Sequence, residues 1–394
     1  MHEALGILEE AAETGDPAVV LPVVQKAIAS AVKVILRADD SGGIIGDVIR
    51  GLLTLHAELA RNAPPPAAKL VAWMIKFQFD GEQDFFEIDP AAYASALGGK
   101  GMTLYRAKLA EIADSQGPEP TDEEEQGVRE RMFTDPAAWE KLANVRHARF
   151  LLEYNAQRLA VVDRDVHAII ATHSRGRKVA AWLQDTAEAL EEIGEIDLAI
   201  DWAKQATAFD RGHQSVKAAG YWCDLLAEHR PDELLVARLE VFRRWPSATH
   251  AGELYRAAGA QWDDYRAGVM ATLESCPREA VSFALHSLKD VELAWNLAHS
   301  LGLPEPGLWE HLAKAYEKID PLAVLPILTN LVHGELQVAD AQRYRSAARR
   351  LARMRKLAAG ADKAAEVDEL IAELREEHRR RPRLQQEFDR AGLP

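Results

Sequence analysis

Residues 180–210 read AAWLQDTAEALEEIGEIDLAIDWAKQATAFD, and this stretch decides the fold. Small and apolar residues recur in it at the three- and four-residue spacing of an amphipathic helix, first before and then after Gly194. Two helices joined by a glycine turn match the tetratricopeptide pattern of about 34 residues. The next stretch, 215–246, repeats this layout with Pro231 between its helices and Pro246 at its end. The sequence therefore predicts helical hairpin repeats in a tetratricopeptide-like superhelix.

The remainder of the chain also carries helical patterns and almost no strand signal. Residues 44–61 place apolar side chains on one helical face, and the prolines at 64–66 end that helix. Asp-Pro or Pro-Asp pairs, which are typical of helix starts, occur at 16–17, 89–90, 135–136, 231–232 and 320–321. We therefore expect an all-α protein with many short helices.

One segment differs in composition from the helices around it. Residues 115–127, SQGPEPTDEEEQG, combine two prolines with a run of acids and lack bulky apolar side chains. Such a composition is typical of a solvated segment, and we predict an acidic linker there. The predicted organisation is a smaller N-terminal helical domain at 1–114 and a repeat array at 128–394 that ends in basic capping helices.

Composition and charge restrict the partners and the compartment. The 394-residue chain has a net charge of −15, which repels nucleic acid and anionic lipid over most of its surface. Cys223 and Cys276 lie far apart and form no disulfide framework, as in proteins of reducing compartments. The N-terminus lacks the basic region of a signal peptide, and no apolar run approaches the roughly 18 residues of a membrane span. We expect a cytoplasmic protein that binds no membrane.

Motifs for catalysis and for metal binding are missing from the sequence. It contains no phosphate-binding glycine loop, no nucleophile elbow and no zinc spacing of Cys and His. The segment beginning His56-Ala57-Glu58 lacks the second histidine of a zinc protease helix. We therefore predict no catalytic residue, no metal and no cofactor.

Two acidic loops are the candidates for a hidden site. Residues 37–47, RADDSGGIIGD, are best explained as a corner in which Ser41 or Asp40 caps the following helix. Residues 79–89, FDGEQDFFEID, fail as a calcium loop because Gly81 stands second instead of sixth, which favours helix capping. Convergence of the two loops would make a site, with the candidates Arg37, Asp39, Asp40, Asp80 and Asp84.

The C-terminal helices carry the opposite charge to the rest of the chain. Residues 340–394 contain 14 Lys or Arg against 10 Asp or Glu. A stripe at helical spacing runs through Arg345, Arg349, Arg353 and Lys356, and a second basic cluster covers 379–383. These residues could contact a phosphate backbone or an acidic partner, with Arg349, Arg353 and Arg380 as binding candidates. Alternatively, they form the solvated side of capping helices, where arginines offset the helix dipole.

Three segments resemble a known family. They are VILRADDSGGIIGDVIRGLLTLHAELAR at 34–61, KLVAWMIKFQFDGEQDFFEIDPAAYASALGGKGMTLYRAKL at 69–109, and the closing helices YRSAARRLARMRKL and LIAELREEHRRRPRLQQEFDRAGL. Together they resemble the helical-repeat region of bacterial SWIM zinc-finger proteins. This chain lacks the C-x-C and C-x-H ligands of the zinc finger. The resemblance therefore implies a stand-alone version of the helical part and no zinc-finger function.

These observations favour an interaction protein over an enzyme. We expect a non-catalytic helical-repeat scaffold or adaptor that binds a protein or peptide partner. The first alternative is a nucleic-acid-associated adaptor that acts through the basic C-terminal helices. The second is an enzyme with a site near Arg37, Asp39 and Asp80.

Overall fold

A computed structural model describes residues 2–80 and 86–394, and these residues form helices and no strand. The prediction of an all-α protein is confirmed. The contacts divide the chain into two units, residues 1–218 and 219–394, and the division falls inside the helix His213–His229.

The described residues of the first unit form ten helices before the shared one, and neighbours in sequence mostly pack on each other. They are α1 His2–Thr14, α2 Pro17–Ile35, α3 Ile44–Asn62, α4 Ala67–Phe79, α5 Pro90–Ser115, α6 Asp122–Glu130, α7 Pro136–Val162, α8 Val166–His173, α9 Ala180–Glu192 and α10 Ile196–Ala208. Helix α2 packs along α3, α4 packs along α5, and α5 packs in turn on α7. Gly98, with φ +57°, kinks α5, because glycine adopts this backbone conformation without a Cβ clash.

The shared helix, α11 His213–His229, leads into the second unit, which contains another series of short helices. They are α12 Pro231–Arg244, α13 Ala248–Ala258, α14 Trp262–Leu273, α15 Pro277–Ser282, α16 Val291–Ser300, α17 Pro306–Tyr316, α18 Leu325–Leu336, α19 Ala341–Ala358, α20 Ala364–Glu377 and α21 Pro382–Arg390. A 3-10 turn at Gly259–Gln261 and a π-helical turn at Phe283–Ser287 complete the unit. Phe283, Leu328 and Leu351 are fully buried in its core.

Aspartate caps start several helices as the Asp-Pro pairs predict. The carboxylates of Asp16, Asp89 and Asp135 each accept a hydrogen bond from a backbone N–H in the first turn of the helix that follows. Each cap satisfies a donor that the helix cannot pair internally, which is worth about 1 kcal/mol. Asp320 is different, because it caps a turn at 321–324 and the next helix begins later, at Leu325.

The stretch 180–210 folds into the predicted hairpin. Helices α9 and α10 pack on each other and are joined by a short turn in which Gly194 has φ +83°. This left-handed conformation strains a residue with a Cβ, which explains the glycine. The hairpin is established, whereas the tetratricopeptide-like superhelix stays a prediction.

The acidic segment at 115–127 differs from the predicted linker. Its second half begins α6, where Thr121 and Glu124 form a reciprocal capping box. Acids in the first turn stabilise a helix through its dipole, so a composition typical of disorder also suits a helix start. The contacts also cross this segment, since Arg158 of α7 holds Asp89 at 2.7 Å and Glu192 at 2.8 Å. The contacts divide the chain at 218/219, and the domain boundary at 115–127 stays a prediction.

Helix α2 is more apolar than the sequence analysis expects. Among the described residues it is the one helix whose length and mean hydropathy, 1.8, would allow it to cross a membrane. Its two charges, Lys26 and Lys33, interrupt an otherwise apolar run. The expectation that no run approaches membrane length is therefore wrong for this helix. In the structure α2 packs along α3 through Val20, Val24 and Ile28.

A closed ring of hydrogen bonds fixes α4, α5 and α7. Gln78 Nε2 donates to the Tyr105 hydroxyl at 2.9 Å, and that hydroxyl donates to Asn155 Oδ1 at 2.7 Å. Asn155 Nδ2 donates back to Gln78 Oε1 at 3.1 Å. All three side chains are buried, and burial raises the pKa of Tyr105. Because each member satisfies its neighbours, the ring stabilises the packing of three helices without leaving an unpaired polar group.

We expect Tyr105→Phe to lower the free energy of unfolding by about 1–3 kcal/mol, because Gln78 loses an acceptor and Asn155 loses a donor inside the core. Urea unfolding followed by circular dichroism measures the loss. Tyr154→Phe is the control, since the Tyr154 hydroxyl makes no hydrogen bond among the described residues. Equal destabilisation by both variants would contradict a specific role for the ring.

Candidate functional site

The two acidic loops provide helix caps. Asp40 Oδ1 accepts from the Ile45 N–H at 2.8 Å, and Asp40 Oδ2 accepts from the Gly46 N–H at 2.9 Å. Asp39 Oδ1 accepts from the Ser41 N–H at 3.0 Å. The corner predicted for 37–47 is confirmed, with Asp40 as the residue that caps α3. Both carboxylates are therefore occupied by the local backbone.

The other candidates of these loops do not form a carboxylate cluster in the described part of the chain. Arg37 and Asp80 are exposed at the ends of α2 and α4. Asp84 lies outside the described residues, as does Gly81 of the rejected calcium loop. One groove nevertheless lies close to both loops. It is lined by Leu36, which directly precedes the first loop, and by Asp80 of the second.

Several arginines of the predicted basic surface form ion pairs. Arg353 binds the Glu317 carboxylate through Nε and Nη2, and Arg345 Nε lies 3.8 Å from Glu387. Arg349 and Arg380 are exposed. The ion pairs reduce the positive charge that this surface offers to a phosphate backbone.

A groove of about 690 Å³ between α2 and α4 is the most developed candidate site in the described part of the chain. It is open because α2 packs on α3 while α4 packs on α5. Ile28, Trp73 and Phe77 provide its apolar surface, and the rings of Trp73 and Phe77 lie 5.8 Å apart. Its volume falls within the range of ordinary ligand pockets.

A buried histidine contacts residues that line the groove. His56 of α3 is fully buried and stacks on Trp73 with 4.0 Å between the ring centroids. Gln25 Nε2 lies 3.0 Å from His56 Nε2, and the Tyr93 hydroxyl lies 2.9 Å from His56 Nδ1. Gln25 and Trp73 line the groove, so His56 contacts both of its walls.

The hydrogen bonds fix the tautomer of this imidazole. An amide nitrogen only donates, so Gln25 donates to Nε2 and the proton of the neutral ring sits on Nδ1. His56 Nδ1–H then donates to the Tyr93 oxygen, whose hydroxyl donates to the Leu53 carbonyl at 3.4 Å. Burial lowers the pKa of His56 from 6.5 to about 4. The ring is therefore neutral and engaged on both nitrogens, which suits a structural role and not proton transfer.

The rim of the groove is cationic. Lys26 and Lys33 on α2 and Lys76 on α4 line it and are exposed, while Asp80 is the one carboxylate among its described lining residues. Cations beside an apolar surface attract a ligand that combines apolar and acidic groups. The arrangement is therefore suited to binding such a ligand.

The comparisons with known proteins place the chain in one family. The family of unknown function DUF6880 matches residues 1–384. The chain belongs to this family. None of the curated proteins compared with this DUF6880 chain matches it.

Sequence reasoning missed this groove although a signal for it is present. Helix α2 is apolar on both faces, with Val20 and Val24 buried while Ala29 and Leu36 are exposed and line the groove. A helix that is apolar all round is normally buried on all sides. Its second apolar face therefore indicates an unfilled contact, a signal that this DUF6880 chain carries in its sequence.

We expect the free energy of unfolding to fall by about 2 kcal/mol between pH 7 and pH 5 through His56 alone. The unfolded histidine, with a pKa near 6.5, binds a proton in this range, whereas the folded one, with a pKa of about 4, does not. Stability is therefore lost as the pH falls from about 6.5 towards 4. Urea unfolding at both pH values measures this effect in the wild type and in His56→Gln. Carboxylates titrate equally in both proteins, so an identical pH dependence would contradict the assignment.

We expect Asp40→Ala to destabilise the protein by about 1 kcal/mol, because two backbone N–H groups of α3 lose their acceptor. Asp39→Ala is the matched control, since Asp39 accepts a single bond in the exposed turn. Thermal unfolding compares the two variants. A larger loss of stability from Asp39→Ala than from Asp40→Ala would contradict the assignment of the α3 cap to Asp40.

Proposed function

We propose that the protein is a non-catalytic helical scaffold or adaptor that holds a segment of a partner protein in the groove between α2 and α4. The observation that carries this proposal is the groove itself, which is lined by Trp73 and Phe77 and by three lysines. Aromatic surface in a concave site is a common anchor for partner side chains.

The polar groups around the groove support binding over catalysis. His56 is neutral and hydrogen-bonded on both nitrogens, and Gln78, Tyr105 and Asn155 bond to one another. Groups arranged in this way hold helices in place. A general base must instead reach the substrate with a free lone pair.

The wider architecture fits the same role. We interpret the helical hairpins, including α9 with α10, as part of a tetratricopeptide-like array, and the chain as a relative of the helical region of SWIM zinc-finger proteins. Arrays of this kind present extended surfaces to protein segments. Cys223 and Cys276 are free thiols, which agrees with our placement of the protein in the cytoplasm.

We expect a photo-crosslinking amino acid at position 29 to trap one partner segment in living cells. Ala29 lines the groove and is exposed, so the replacement reaches an occupant without disturbing the core. Mass spectrometry of the adduct identifies the captured peptide.

The same amino acid at position 18 is the control, because Ala18 is exposed on α2 but does not line the groove. We expect no matching adduct from this position. No adduct at position 29, or the same adducts at both positions, would overturn the proposal.

A further inference from the structure

The lysines of the groove are spaced to hold a regular segment. Lys26 and Lys33 lie seven residues apart on α2, so they occupy one face and stand about 10 Å apart along the helix axis. Lys76 lines the same groove from α4. An occupant that rests its apolar side chains on Trp73 and Phe77 therefore meets cations on both walls.

The walls of the groove favour a helical occupant over an extended one. Both α2 and α4 are helices whose backbone hydrogen bonds are internal, so they offer no free edge to an extended peptide. A helix brings its own backbone hydrogen bonds into the groove. The groove runs from Pro22 to Leu36 of α2, about 21 Å, which matches a helix of about 14 residues.

Charge favours an acidic helix as the occupant of the groove over a second copy of the chain and over an anionic bilayer. A second copy of the chain related by a two-fold axis would set Lys26 and Lys33 against the same lysines, which repel. An anionic bilayer is repelled by the net charge of −15 and is flat, whereas the groove is concave. An acidic segment pairs its carboxylates with the lysines.

We propose that the occupant of the groove is an acidic amphipathic helix of a partner protein, about four turns long. Its apolar face packs on Trp73 and Phe77, and carboxylates seven residues apart pair with Lys26 and Lys33. This inference rests on the proposed function, because it names the kind of segment that the scaffold holds.

The test uses the full chain and two labelled peptides of about 14 residues that differ only in charge. One carries a leucine face with Glu at positions seven apart, and the other replaces each Glu with Lys. Fluorescence anisotropy measures the affinity, and circular dichroism measures the helicity of the peptide. We expect the acidic peptide to bind, to gain helicity, and to bind less tightly as salt rises.

The Lys26→Glu/Lys33→Glu variant should weaken acidic-peptide binding about tenfold, because two attractive contacts become repulsive. Lys314→Glu/Lys318→Glu is the matched control, with the same change in charge at exposed lysines of the second unit. We expect this control to bind the peptide as the wild type does. Equal weakening by both variants would overturn the assignment of the lysines.

Further outcomes separate this inference from the proposed function. Equal or tighter binding of the basic peptide would overturn the inference of an acidic helix, and so would binding without a gain of helicity. An adduct at position 29 would in either case still support the proposed function, in which the groove holds a partner segment. Sedimentation with phosphatidylglycerol vesicles without peptide binding identifies a lipid surface and overturns the inference. A dimer that light scattering detects and that the Lys26→Glu/Lys33→Glu variant dissociates would also overturn the inference. Failure of both peptides together with no adduct at position 29 rejects both proposals.

Discussion

The neutral imidazole of His56 connects four helices of the first unit. It accepts a hydrogen bond from Gln25 of α2, donates one to Tyr93 of α5 and stacks on Trp73 of α4, while it belongs to α3 itself. A charged ring could not occupy this buried position without a partner carboxylate, and burial accordingly lowers its pKa to about 4. Both walls of the groove therefore contact one uncharged side chain.

This constraint explains why the groove stays open. The hydrogen bond from Gln25 and the stack on Trp73 hold α2 and α4 to the same imidazole from two sides, while their main packing partners are α3 and α5. The surface between the two helices therefore includes apolar side chains that line a groove. Because filling such a surface releases water from apolar groups, binding of a complementary segment is favourable. In the function we propose, the lysines favour an acidic segment, since they attract acids and repel cations.

The two sets of hydrogen-bonded side chains in the first unit, one around Gln78 and one around His56, stabilise different parts of it. The ring of Gln78, Tyr105 and Asn155 fixes α4, α5 and α7, whereas His56 contacts Gln25 and Trp73, which line the groove. The side chains of both sets hydrogen-bond within the protein, which favours a structural role for both sets. The carboxylates that suggested an enzyme, Asp39 and Asp40, are likewise used to cap the turn before α3.

The sequence by itself determined the all-α class, the hairpin turn at Gly194, the caps at Asp16 and Asp89, and the corner that Asp40 closes. These features depend on neighbours within a few residues, so spacing and residue type reveal them. It predicted a linker where α6 begins, because the acids at 122–125 suit a solvated segment and a helix start equally well. Only the tertiary structure decided the groove, since Gln25, His56, Trp73 and Tyr93 are far apart in sequence and no local pattern specifies their meeting. Long-range packing brings these side chains together, and the function we propose depends on that contact.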